Sequence, residues 1–98
     1  MKRFEFHPDA RVEYLAAILY YDDARSGLGD EFVTEIEDAI DLILAHPLAW
    51  PRMGGRVRRC LIGRFPFGII YTVTGGLILI LAVAHLKRAP GYWKSRRK

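Results

Sequence analysis

Apolar and polar positions alternate at the start of the chain, recur at steps of three and four through its first half, and alternate again in the second. Phe4 and Phe6 share one face, with Arg3, Glu5 and His7 on the other, which predicts a short half-buried strand ended by Pro8. Pro8 suits a first helical turn, and Val12, Leu15, Ile18 and Leu19 follow at helical spacing with Tyr14 and Tyr21. They predict a first helix that runs to the Asp22–Gly29 region. Ser26-Gly27-Leu28-Gly29 breaks it, and Asp30 stands where a capping residue would open a second helix. That helix has Phe32, Val33, Ile36, Ala39, Ile40, Ile43 and Leu44 on one face and Glu31, Glu35, Glu37, Asp38 and Asp41 on the other. Pro47 disfavours helical geometry at the residue before it, so the second helix ends near Ala45 or His46. There the imidazole of His46 suits the negative end of the helix dipole.

Beyond a Pro- and Gly-rich stretch over 48–55, three segments rich in Val, Ile, Leu and Tyr read as strands, over 56–62, 67–74 and 77–85. Gly75-Gly76 is a natural two-residue hairpin turn. The last strand is apolar on both faces, which places it in the middle of a sheet with helices on one side. The expected fold is α+β, in one domain over residues 1–98: an N-terminal strand, an antiparallel helical hairpin, then a three-stranded antiparallel meander with the helices packed on one face. A chain of 98 residues has no room for a large enclosed active site.

Composition narrows the chemistry. The single cysteine, Cys60, makes no internal disulfide, and no His or Cys pair stands at metal-ligand spacing, so neither a structural metal nor a cofactor is expected. A reducing cytoplasm is the expected compartment. The start lacks the apolar stretch of a secretion signal, and the longest apolar run, Leu77–Ala84, falls far short of the roughly 20 residues a membrane helix needs.

Charge changes the picture more. The formal net charge is only +4, but all eleven acids lie between Glu5 and Asp41, with four bases, so residues 1–51 carry −7. From Arg52 onward there are eleven bases, mostly arginines, and no acid. Such a block of cations attracts polyanions, and the planar fork of arginine binds phosphate oxygens in pairs. A nucleic acid or an acidic protein is the expected partner. The basic tail from Lys87 to Lys98 contains Tyr92 and Trp93, which pin it against the sheet by packing or stack on bases.

The order of elements and several local strings resemble the toxins of the RelE/ParE superfamily, from bacterial type II toxin-antitoxin systems. In the first half these are Tyr20-Tyr21, Leu28-Gly29, Phe32 with Glu35-Ile36, and His46-Pro47 ahead of Trp50-Pro51. In the second they are Arg58-Arg59, Phe65-Pro66-Phe67-Gly68-Ile69-Ile70-Tyr71, Ala82-Val83-Ala84-His85 and Arg88-Ala89-Pro90-Gly91-Tyr92-Trp93. The resemblance implies a growth-inhibiting toxin neutralised by a cognate antitoxin protein that wraps over its surface, the pair binding its own promoter DNA. It also implies one of two targets. One branch cuts ribosome-bound messenger RNA; the other, ParE-like, is no nuclease and poisons DNA gyrase.

Metal-free RNA cleavage needs a base for the 2′-hydroxyl proton, cations around the phosphorane-like transition state and an acid for the leaving 5′-oxygen. His85, at the end of the last strand, is the candidate base, in a region where the resemblance implies a functional histidine in some nucleases. Arg59, Arg64 and Arg88 are candidates to stabilise phosphate charge, and Tyr92 to orient a base or donate a proton. If the chain is ParE-like, the same basic half is a docking surface and His85 and Tyr92 are structural. A third reading is a non-toxic basic nucleic-acid-binding module. A dependence of RNA cleavage on His85 separates the enzyme from both binding readings.

Overall fold

The computed structural model describes residues 3–96; of the predicted basic tail, Arg97 and Lys98 lie outside the described residues. Strand β1 (Arg3–Phe6) leads into helices α1 (Pro8–Ala24) and α2 (Leu28–Ala45), followed by strands β2 (Arg58–Leu61), β3 (Phe67–Thr74) and β4 (Leu77–His85) and a 3-10 turn over Lys94–Arg96. The sheet order is β1-β4-β3-β2, so β4 is central, as its two apolar faces require. β2, β3 and β4 form the expected antiparallel meander, while β1 lies parallel to β4 and makes the sheet mixed. Gly75 and Gly76 both have positive φ, 54° and 84°, which a tight hairpin turn needs at both central positions.

One irregularity decides which way the end of β4 faces. Ile70 pairs with Ala82 but Tyr71 pairs with Ile80, leaving Leu81 as the extra residue of a bulge. Before the bulge Ile78 and Ile80 face the helices; after it Val83 does, while Leu81, Ala82 and Ala84 join Val57, Ile70 and Trp93 on the other face. Trp93 is buried, which gives it the packing role and not the stacking one.

The helix-side core is aromatic. Phe32 has no exposed surface, and its ring lies 5.1–6.1 Å from those of Tyr14, Tyr21, Phe65 and Phe67. Nearby the Tyr71 hydroxyl donates to the Pro47 carbonyl at 2.7 Å, and burial pushes its pKa up to about 12. Cys60 is buried in the same core, and burial raises its thiol to about 11. An alkylating reagent at neutral pH should therefore leave Cys60 untouched in the folded protein and modify it at once in denaturant, as mass spectrometry would read.

Four sequence expectations are corrected here. The first helix was expected to bury Val12, Leu15 and Leu19; instead they are 65%, 49% and 67% exposed, and the buried positions are Ala10 and Ala17 with Tyr14, Ile18 and Tyr21 half-buried beside them. Small residues win because α1 packs closely on α2 and β4. Asp30 does not cap α2 but lies in its first turn; the N-cap is Gly27 at φ 88°, with no side-chain cap bond of its own. The free amides of Gly27 and Gly29 go instead to Asp22 Oδ1, at 3.0 and 3.2 Å. His7, expected on the polar face of the first strand, caps α1, its Nδ1 accepting the Asp9 N–H at 3.1 Å. The strand expected over 56–62 is shortened to Arg58–Leu61. Helix α2 ends as Pro47 dictates, with His46 at the C-cap through its backbone N–H to the Leu42 carbonyl. No helix among the described residues is long and apolar enough to cross a membrane.

Candidate functional site

β1 ends at Phe6, opposite Ile80, so the edge of β4 beyond that point has no strand beside it. Its polar backbone groups need other partners. Glu13 of α1 accepts the Val83 N–H through Oε1 at 3.1 Å, and Arg96 donates to the Leu81 carbonyl at 3.0 Å. Glu13 and Arg96 also pair with each other, Arg96 Nη1 to Glu13 Oε1 at 3.1 Å, with side chains 14% and 13% exposed. The C-terminal segment is thus clamped to α1 across the open edge of the sheet.

The candidate residues gather around that clamp. Arg88 lies 3.8 Å from Glu13 Oε2 and stands over the Tyr92 ring at 3.9 Å, with Arg96 5.1 Å from the same ring. The Tyr92 hydroxyl and Glu13 Oε2 are both buried without a hydrogen-bond partner. Burial first, and then the Glu13 carboxylate, push the Tyr92 pKa up to about 12. The turn after β4 is fixed by Leu86 N–H to the Pro66 carbonyl at 2.8 Å and Arg88 N–H to the His85 carbonyl at 3.0 Å. Within it the His85 ring packs edge-on against Phe67 at 5.1 Å, and its Nδ1 accepts the Lys87 N–H at 3.0 Å.

Two depressions open here and share His85 and Arg88. The larger, of about 540 Å³, runs between α1 and the start of β3, with Ala16, Ala17, Tyr20, Tyr21 and Phe67 as its apolar lining. It continues onto the outer face of α1, where Val12, Leu15, Leu19 and Tyr20 form an uncovered apolar stripe. The smaller, of about 170 Å³, lies on the other face of the sheet and is lined by Arg59, His85, Arg88 and Tyr92 together with the 89–93 segment.

Four of the five sequence candidates, Arg59, His85, Arg88 and Tyr92, therefore meet in one place. Arg64 does not join them. It donates to Glu31 Oε1 at 2.6 Å, while Glu31 Oε2 takes Arg25 at 3.3 Å, and the Arg64 hydrogen bond holds the Glu31 carboxyl below its usual range. Arg58 is also structural, donating to the Leu48 and Trp50 carbonyls at 3.1 and 2.7 Å. The residue that sequence reading missed is Glu13. Only its position, a lone acid between Val12 and Tyr14 on a helix otherwise apolar there, hints at a buried partner. Among the described residues no group of three or more His, Cys, Asp or Glu is placed to hold a metal ion.

No curated protein matches the chain. Among solved structures, the chromosomal ParDE toxin-antitoxin system from P. aeruginosa is similar, with a TM-score of 0.64 at 18% identity over 87% of this chain and 96% of that one. At that identity the likeness speaks for the fold, which agrees with the α+β arrangement above. The family model described as the ParE toxin of type II toxin-antitoxin systems matches residues 4–90. The match spans both helices, the sheet from Phe4 onward and His85 and Arg88, and on it this chain belongs to the ParE toxin family.

Proposed function

We propose that this ParE-family chain is a toxin that acts by docking on DNA gyrase and not by cutting RNA, and that a cognate antitoxin neutralises it. The observation that carries the reading is the state of His85. With Nδ1 accepting the Lys87 N–H, the neutral ring bears its proton on Nε2 and presents a donor, where a general base must present a lone pair. Tyr92 is no better as an acid: its hydroxyl is buried and its pKa stands near 12. What is left at the site is a binding surface of arginines and a hydrogen-bond donor.

The antitoxin partner fits two adjoining features. The stripe Val12, Leu15, Leu19 and Tyr20 offers apolar contact, and the larger depression beside it has Arg88 and His85 on its rim. A segment with apolar residues on one face and acids at one end matches both.

A reconstituted translation reaction, with breaks in the message mapped by primer extension, tests the target against a parallel assay of gyrase supercoiling. The protein should leave the message intact and inhibit supercoiling, and folded His85→Ala should weaken that inhibition without abolishing it. New breaks in the message that vanish with His85→Ala would overturn the reading and make His85 a catalytic base.

A further inference from the structure

We propose that the smaller depression, between β2, the end of β4 and the 89–93 segment, is a phosphodiester seat that grips the backbone of duplex DNA when the toxin engages gyrase. The proposal rests on the gyrase reading above and extends it from a protein surface to the DNA that the enzyme holds.

The depression has the donors for an anion, and of its two arginines only Arg88 has a carboxylate nearby. Arg59 reaches it from β2, and no carboxylate among the described residues pairs with that guanidinium. Its stem lies across Gly68, where a Cβ would stand 3.1 Å from Arg59 Cγ, so the bare backbone of β3 makes the space the arginine uses. Arg88 comes from the opposite wall. The Tyr92 ring beneath it, at 3.9 Å, holds its guanidinium while leaving in-plane N–H groups to bind, and Glu13 pairs with it only loosely, at 3.8 Å, its nearer partner being Arg96 at 3.1 Å. Two arginines around about 170 Å³ suit one phosphate group.

The aromatic residues say which polymer. Single-stranded RNA is recognised largely by stacking its splayed bases on open aromatic faces. Here Trp93 is 4% exposed and the Tyr92 ring is covered by Arg88 and Arg96. Neither Tyr92 nor Trp93 offers a free ring face in the depression, so its arginines favour a backbone over a base. Duplex DNA, whose bases are stacked within the helix, presents such a surface.

Fluorescence anisotropy with a short labelled DNA duplex, titrated at several salt concentrations, tests the seat. Wild type should bind with strong salt dependence. Arg59→Gln and Arg88→Gln should each weaken binding several-fold and reduce the log-log salt slope by about 0.9, the value of one phosphate contact. Arg11→Gln on α1 should change neither. An equal loss from Arg56→Gln, in the 48–57 loop outside the depression, would mean diffuse attraction and overturn the seat. So would an unchanged slope for Arg59→Gln in a variant that melts like wild type, or single-stranded RNA of equal length competing better than the duplex. Supercoiling assays on the same variants separate the two claims. Gyrase inhibition that survives Arg59→Gln and Arg88→Gln removes the seat and leaves the gyrase reading standing. DNA binding with the predicted slopes but no inhibition by wild type removes the gyrase reading and leaves the seat.

Discussion

Phe32→Ala should destabilise the protein by about 3–5 kcal/mol, enough to remove a large share of the roughly 5–15 kcal/mol that holds a domain of this size together. Phe32 has no exposed surface and touches four other aromatic rings from α1, the β2–β3 loop and β3. Removing it loses the transfer free energy of the ring and leaves a cavity walled by rigid groups, which cannot collapse into the space. Urea unfolding should show a lower midpoint with an unchanged slope. Phe4→Ala is the control, because Phe4 is 42% exposed and its loss should cost under about 1 kcal/mol. Similar midpoints for the two variants would mean that the aromatic cluster does not hold α2 to the sheet.

The second large effect belongs to the clamp. Arg96→Met should cost about 2–4 kcal/mol, since it leaves the Glu13 carboxylate, mostly out of water, with only the Val83 N–H and the looser Arg88, and the Leu81 carbonyl without its donor. Thermal melting would register this as a fall of more than about 8 °C at some 4–8 °C per kcal/mol. Combining it with Glu13→Leu should cost less than the sum of the two single changes, because the under-compensated charge goes with its partner. Full additivity would show that Glu13 and Arg96 are independent of each other. The change also bears on function, because the segment that Arg96 anchors carries Tyr92, the ring under Arg88.

How much of this was legible depended on how far apart the interacting residues lie. Strands β3 and β4 fall where the alternation placed them, over 67–74 and 77–85, and Gly75-Gly76 turns between them, because a hairpin is a local event. The burial face of α2 was equally readable, since its acids leave only one apolar side. Helix α1 gave no such guide. Its apolar residues occupy more than one face, and the choice of Ala10 and Ala17 over Val12, Leu15 and Leu19 is made by the closeness of α2 and β4, which periodicity does not contain. The Asp22 cap competes with Asp30 only once the turn brings Gly27 and Gly29 back to it. At the site, Arg59, His85, Arg88 and Tyr92 were found as chemistry-bearing residues in a charged half-chain, whereas Glu13 meets Val83 across 70 positions. The bulge at Leu81, which turns Val83 towards the helices, was not visible in an unbroken apolar run.

The parallel pairing of Arg3–Phe6 with Leu77–Ile80 ties the first strand to the last. A contact of such sequence separation is slow to form, since a long loop must close before the pairing stabilises it. It also sets an order of events during synthesis. At about 5–20 residues per second, β1 and both helices wait for seconds with no central strand to pack on. The surface around His85 and Arg88 is assembled only when the central strand arrives, so docking there, as proposed above, has to wait for β4 to take its place between β1 and β3.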